Sequence, residues 1–245
     1  MTFWEYVAGI RFKILFKEKK MKIVAFVPMR HNSVRVSGKN YRMLAGKPLF
    51  HHIMDSLLAV KEIDEVVVDT DSPVVIEGLQ KDFPQVKTLL RPEKLCAGDV
   101  PMNEILIYDT GQIQADYYLQ THSTNPLLKA ETISRSIQTF LEKTYLYDSL
   151  FSVTRVQKRF YDELARPINH NMSILLRTQD LPPIYEENSC IYIFTRDILL
   201  RNRNRVGDRP MMFEIPAIEA QDIDDETEFN VTEMLMMLRQ QGKLQ

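Results

Sequence analysis

Cysteine is nearly missing from the chain. Cys96 and Cys190 are the two thiols in 245 residues. They cannot staple a chain of this length, so a reducing compartment, the cytoplasm, is the expected setting. Glycine is sparse at 8 residues, so a glycine-dependent phosphate loop has to be sought position by position. Neither sign of charge dominates: 31 basic against 33 acidic side chains leave a net charge of −2. That balance gives no support for a nucleic-acid binder, which carries a basic surplus. No apolar run approaches the ~18 residues needed to span a bilayer. What is present is 44% apolar and 26% charged residues, the values of an ordinary globule, which exclude disorder and a collagen-like repeat. The length suits one domain, or one large domain with a small appendage.

Residues 1–20 stand apart. Phe3, Trp4, Val7, Ile10, Ile14 and Leu15 share a helical face, while Arg11, Lys13, Lys17, Lys19 and Lys20 gather late. A signal peptide would carry its positive charge first and end at small residues. The segment reads either as an amphipathic helix for a membrane surface or partner, or as an extension upstream of a folded unit that starts at Met21. The second is preferred because a strand-like run follows Met21 directly.

From there the pattern is regular. Residues 22–28 (KIVAFVP), 65–70 (EVVVDT) and 116–120 (DYYLQ) are short apolar runs of the kind buried strands make. Helical patterns at 48–60, 74–82 and 130–143 alternate with them, and 149–155 and 190–194 read as further strands. Strands alternating with helices predict an α/β fold, a mostly parallel sheet covered on both faces. From Gln157 to Tyr185 the rhythm breaks into polar, proline-punctuated sequence, read as an excursion. A methionine-rich helix at 231–241 closes the chain, its methionines expected in the core.

In such a sheet, ligands bind outside the carboxyl ends of the strands. The first loop, 28–40, brings Arg30, Arg35 and Lys39 together with Ser33, Ser37 and Gly38. Guanidinium groups, a lysine and loop N–H groups suit phosphate oxygens, although no Walker A spacing is present. A solvated basic loop is the alternative. Asp222 and Asp224 flank one apolar residue, so in an extended segment both carboxylates face one side, as a magnesium ion sharing substrate phosphates would need. Here the alternative is an acidic first turn capping the last helix. No His-Glu-x-x-His, cysteine–histidine cluster or Gly-x-Ser-x-Gly occurs, which argues against zinc and a serine triad. Cys190 is expected to pack within its strand.

Along this path the sequence resembles the acylneuraminate cytidylyltransferases. The matches are Pro28, Arg30, Ser33, Lys39 and Asn40; Gly46, Lys47, Pro48 and Leu49; Val68 to Asp71; Leu90, Arg91, Pro92 and Glu93; Leu119 and Gln120 leading to Asn125, Pro126 and Leu127; Gln179 to Pro182 with Tyr185 and Asn188 through Tyr192; and Asp222, Ile223, Asp224, Glu228 and Phe229. Departures are local. His31 and Asn32 replace two loop glycines, Val34 a lysine, and Leu128 an arginine, while the arginine before Gln179 is Thr178. The run from Ser33 to Lys39 resembles instead the loop of the Kdo cytidylyltransferases, whose acidic element after the third strand is lacking here.

The resemblance implies a Rossmann-like, mostly parallel mixed sheet of nucleotidyltransferase type over residues 21–245, with a dimerisation insertion at about 157–187 and a homodimer. It implies transfer of CMP from CTP to an acidic 2-keto-3-deoxy sugar, a nine-carbon or related acid, with Mg2+ and pyrophosphate release, as in building cell-surface carbohydrate. By the same token Arg30, Ser33, Arg35 and Lys39 would hold the triphosphate. Asn40 and Arg91 would contact the nucleotide, Asp222 and Asp224 the metal, and Gln120, Tyr185, Asn188 and Tyr192 the sugar. Arg30, Lys39 and Asp224 would be catalytic. A Kdo-type or other nucleotide-sugar synthetase and a non-catalytic nucleotide-sugar-binding homologue are the alternatives.

Overall fold

The computed structural model describes residues 21–33 and 35–244. The amphipathic reading of 1–20 and the substitution at Val34 lie outside the described residues. Strand β1 (Ile23–Phe26) is buried along its whole length and runs in the interior of a seven-stranded sheet. It pairs in parallel with β4 (Glu65–Thr70) and β6 (Tyr117–Gln120), and β4 pairs in parallel with β5 (Lys87–Leu90). Beyond β6 the direction changes. Strand β8 (Ile184–Phe194) is antiparallel to both β6 and β7 (Ser149–Val156), and β9 (Pro210–Glu214) returns parallel to β7. The order is β5-β4-β1-β6-β8-β7-β9. A small hairpin, β2 (Met43–Leu44) and β3 (Lys47–Pro48), follows the first loop. Its turn uses Ala45 and Gly46, both at positive φ, the twist a two-residue hairpin favours.

Period-two alternation sends the two sides of each strand to different helices. Ile23, Ala25, Val66, Val68, Leu119 and Ile193 pack under α1 (Leu49–Leu58), α2 (Pro73–Asp82) and α4 (Ala130–Leu141). Val24, Phe26, Val67, Tyr118, Tyr192 and Phe194 pack under α3 (Met102–Gln112) and α5 (Arg196–Asn202). A third cluster holds Val36, Leu44, Leu49, Leu127, Ile223, Phe229 and Met236 together. It ties the first loop to α6 (Glu226–Gln240). Among the described residues no helix is long and apolar enough to cross a membrane.

Two expectations need correcting. Helix α6 starts at Glu226 rather than at 231, because Asp225 and Glu228 form a reciprocal capping box at its first turn. Its methionines are not a core stripe. Phe229, Thr232 and Met236 share the buried face, one and two turns apart, while Met234 and Met237 fall outside that register and are 64% and 43% exposed. The region 157–187 is not wholly an excursion either. Residues 184–187 already belong to β8 and pair with β7, so the protruding part is 157–183. It is braced by Gln157 Nε2, which donates to the carbonyls of Gln179 and Leu181, each at 3.0 Å.

Candidate active site

Each parallel strand delivers its next loop to the same end of the sheet, and there a cleft of about 410 Å³ opens, a size typical of ligand sites. Arg30, Ser33, Arg35, Lys39, Asn40 and Arg91 all line it, with Asp222 and Asp224 on the facing wall. The nucleotide and metal residues expected from sequence are therefore gathered in one place.

The first loop is held from below. His31 N–H donates to Asp71 Oδ1 at 2.6 Å, and its ring nitrogen Nδ1 lies 2.9 Å from Ser72 Oγ. Asn40 is buried and acts as a brace: its amide donates to the Arg30 carbonyl at 2.9 Å and accepts from Ser123 Oγ at 2.6 Å. Gly38 turns the chain at φ +62°, where a Cβ would lie 2.7 Å from the Tyr41 ring. Only glycine meets both conditions.

Charge crosses the cleft. Arg35 Nη2 donates to Asp224 Oδ1 at 2.7 Å. Lys39 Nζ donates to the Ile223 carbonyl at 2.5 Å and lies 3.8 Å from Asp224. Burial lowers the Lys39 pKa, against the opposing pull of Asp222 and Asp224. Burial likewise raises the Asp222 carboxyl, opposed by a hydrogen bond from Thr124 and the Ile223 N–H. Ile223, between the two acids, is fully buried, and that anchor turns both carboxylates to the cleft. The acidic run thus divides: Asp222 and Asp224 face the cleft, while Asp225 and Glu228 cap α6.

The sugar residues expected from sequence are more scattered. Asn188 lines an adjoining hollow of about 380 Å³ that shares Ser189 and Asp222 with the cleft walls. Its side chain accepts from Ser152 Oγ at 2.5 Å and donates to Thr154 Oγ1 at 3.0 Å, pinning the irregular pairing of β7 and β8 between Phe151 and Val153. Ser189 follows at φ +58°. Tyr192 is buried, its hydroxyl donating to Glu187 and lying 3.2 Å from Ser189 Oγ. Gln120 is buried with Nε2 donating to the Thr121 carbonyl at 3.0 Å. Tyr185 is not brought to the cleft. It lines a separate apolar pocket with Arg155, Phe160 and Ile184.

Two residues escaped sequence reasoning. His122 lines the cleft, with its Nε2 3.0 Å from Gln120 Nε2. Since the amide donates, the ring proton sits on Nδ1. Burial and the positive charges of Arg205 and Lys39 push its pKa down to about 3, so the imidazole is neutral. Arg205 lies face-on over Tyr192, 3.6 Å from the ring centroid, and its Nη1 is sealed without a hydrogen-bond partner. In sequence Arg205 is one arginine among several between α5 and β9. Nothing there separates it from its exposed neighbours.

An open α/β sheet with a cation-lined first loop facing paired aspartates at its carboxyl end is the architecture of a nucleotidyltransferase. The cytidylyltransferase family model matches residues 24–243. The chain is 30% identical to the CMP-N,N'-diacetyllegionaminic acid synthase of Legionella pneumophila, over 91% of this chain and 99% of that protein. It is 25% identical to the N-acylneuraminate cytidylyltransferase of Escherichia coli, over 92% of this chain but 54% of that longer protein. In fold it is similar to CMP:2-keto-3-deoxy-manno-octonic acid synthetase solved with CTP, with TM-score 0.65, 16% identity, and coverage of 89% of this chain and 99% of that one. The chain belongs to the acylneuraminate cytidylyltransferase family.

Proposed function

We propose that this enzyme transfers CMP from CTP to a nonulosonic acid, a sialic-acid-like nine-carbon 2-keto sugar acid, with release of pyrophosphate. The observation that carries the reading is the single cleft in which Arg30, Arg35, Lys39 and Arg91 face Asp222 and Asp224. A triphosphate needs both signs of charge close together: cations for its oxygens, and carboxylates for the metal that accompanies it. The named activities of the legionaminic and acylneuraminate relatives supply the sugar class.

The sugar's anomeric hydroxyl attacks the α-phosphorus, forming the new O–P bond and losing its proton to water as the bond to pyrophosphate breaks. Arg30, Ser33, Arg35 and Lys39 bind the triphosphate and stabilise charge on the leaving oxygens, and Arg91 forms part of the floor beneath the nucleotide. Catalysis of this kind is mostly positioning and electrostatics. The donor set suits magnesium. Asp222 and Asp224 offer hard oxygens, and the described residues contain no cluster of three or more His, Cys, Asp or Glu that would form an all-protein cage, so the remaining ligands would come from phosphate and water. When bound, the ion supplies Lewis-acid neutralisation of phosphate charge. Lys39 then competes with it for Asp224.

On the β8 side, Arg205 is suited to the sugar carboxylate. Its guanidinium has no ion pair among the described residues, and the arginine expected before Gln179 is Thr178. His122 lines the cleft and Asn188 the adjoining hollow, while Gln120 is buried against His122 and Tyr192 is buried in β8. The protruding segment 157–183 exposes Leu164, Ile168, Met172, Ile174 and Leu175, the last 90% accessible, an apolar surface suited to a second copy. We assign the homodimer interface there, and a reducing compartment to a chain with two free thiols.

Pyrophosphate release with magnesium and CTP, across sialic, legionaminic, pseudaminic and Kdo-type acids and with ATP, GTP and UTP as controls, tests the reading. Release with CTP and one nonulosonic acid is expected. Release with the Kdo-type acid alone, or CTP binding with no turnover on any acid, would overturn the substrate class. Sedimentation velocity tests the dimer.

A further inference from the structure

Beneath the cleft floor three ionisable side chains are sealed together. Asp69 in β4 and Asp109 in α3 are wholly buried, and Arg91, just after β5, is 6% exposed. Arg91 Nε donates to Asp69 Oδ1, and its Nη2 to the Asp69 carbonyl at 3.4 Å. Its backbone N–H donates to the Thr70 carbonyl at 3.0 Å. Arg91 also lines the cleft. Asp69 Oδ2 and both oxygens of Asp109 receive no N–H or hydroxyl donor. The two carboxyl groups are hydrogen-bonding neighbours of each other.

One guanidinium against two carboxylates leaves a surplus negative charge if both acids are ionised. In a dry interior that surplus is very costly, as are orphaned oxygens. A single proton between the carboxyls removes both problems, as in other carboxylate pairs that share a site. We propose that Asp109 is a positioning residue of the nucleotide site: its carboxyl O–H donates to Asp69 Oδ2, and Asp69 in turn holds Arg91 at the cleft floor. The inference rests on the reading that Arg91 contacts the nucleotide.

The surroundings agree. Burial, and then the charge of Asp69, push the Asp109 carboxyl up to about 9, with Arg91 as the opposing influence. Asp69 is also raised by burial, against Arg91, with Asp71 adding repulsion. Cys96 is the remaining titratable neighbour, its thiol against the Arg91 and Pro92 carbonyls and raised by burial and Asp71. If Asp109 ionises, its carboxylate repels Asp69 and competes for Arg91, drawing the guanidinium back from the cleft. Nucleotide affinity therefore falls as pH rises toward 9 and beyond.

The test is CTP binding by calorimetry from pH 7 to 10, with thermal melts in the same buffers. Wild type is expected to weaken about tenfold across the range, the worth of one good hydrogen bond. Asp109→Leu, which cannot donate, should bind about tenfold more weakly than wild type at pH 7. Asp109→Asn, whose amide always donates, should rescue neutral binding and abolish the alkaline loss. Because the Lys39 pKa is also lowered, its titration is the competing cause. An alkaline loss that persists in Asp109→Asn would overturn the proposal. The melts separate this from the functional reading. A melting temperature that falls with pH in wild type but not in Asp109→Asn supports the shared proton even if CTP fails to bind. Parallel melts in the two proteins overturn it.

Discussion

On its β1 side the cleft is lined by side chains of the first loop, with charge meeting charge directly: Arg35 pairs with Asp224, and Lys39 lies 3.8 Å from the same carboxylate. In the adjoining hollow on the β8 side the polar groups sit on strands and are tied by mostly uncharged hydrogen bonds, as in Ser152 to Asn188 to Thr154, and one guanidinium stacks on a tyrosine of β8. Loops with adjustable cations suit a flexible polyphosphate whose charge redistributes during reaction. Strand-borne groups with little freedom suit a rigid ring that must be told from its epimers. The sheet itself draws the division, since its parallel strands end in crossover loops at the cleft, whereas β8 runs antiparallel to both its neighbours.

Asp224→Ala should break this arrangement most severely. Turnover is expected to fall about 10³-fold or more, with CTP affinity changed far less, as read by pyrophosphate release beside equilibrium binding. A variant that turns over at the wild-type rate would put Asp224 with the helix-capping acids instead. Next comes Ile223→Ala, which empties the fully buried site between the two aspartates. A loss of about 3 kcal/mol in urea unfolding is expected, with turnover reduced because both carboxylates lose their anchor.

An effect of similar size tests the support of the loop side. His52 in α1 is buried beneath the β2–β3 hairpin, its Nε2 2.9 Å from the Leu44 carbonyl. Burial pushes its pKa from 6.5 to about 4. The folded state therefore binds protons less readily than the unfolded chain. Its contribution is complete above about pH 6.5 and is lost as pH falls toward 4, on the order of 3 kcal/mol in all. Urea unfolding at both ends of that window should show a smaller acid loss in His52→Gln than in wild type.

Arg205→Ala sharpens the comparison from the other side. The sugar-acid KM should rise about tenfold, the loss of a charge-assisted contact, while the CTP KM stays put. A shift in the CTP KM instead would move Arg205 to the nucleotide. Arg35→Ala should have the smallest effect on stability, under about 1 kcal/mol, because its pair with Asp224 is 64% and 46% exposed.

Much of the parallel half was legible because strands buried on both faces carry continuous apolar runs, as β1 does and as β4 does from Val66 to Val68 and β6 from Tyr117 to Leu119. Helix α3 was not, since its apolar residues Met102, Ile105, Leu106, Ile107 and Tyr108 are spread around the helix and give no clear face. β5 is a short strand, half exposed, that opens on a lysine. β9 did carry an alternation, with Met211 and Phe213 buried, that passed unread. The methionines of α6 misled because composition does not state a face: Met236 is buried and Met234 is not.

Within the site, Arg30, Ser33, Arg35, Lys39 and Asn40 could be grouped from sequence because one loop carries them all. Local chain order brings neighbours together without help from the fold. His122, Arg205 and the Asp69–Arg91–Asp109 cluster could not, because each depends on which strands lie side by side and which helix covers them. Residue types and hydrophobic period follow from the chain alone and determined an α/β fold with a cation-rich first loop. Which of its many charged side chains are sealed, and against what, was decided by tertiary packing, since only the assembled core excludes the water that would otherwise screen them.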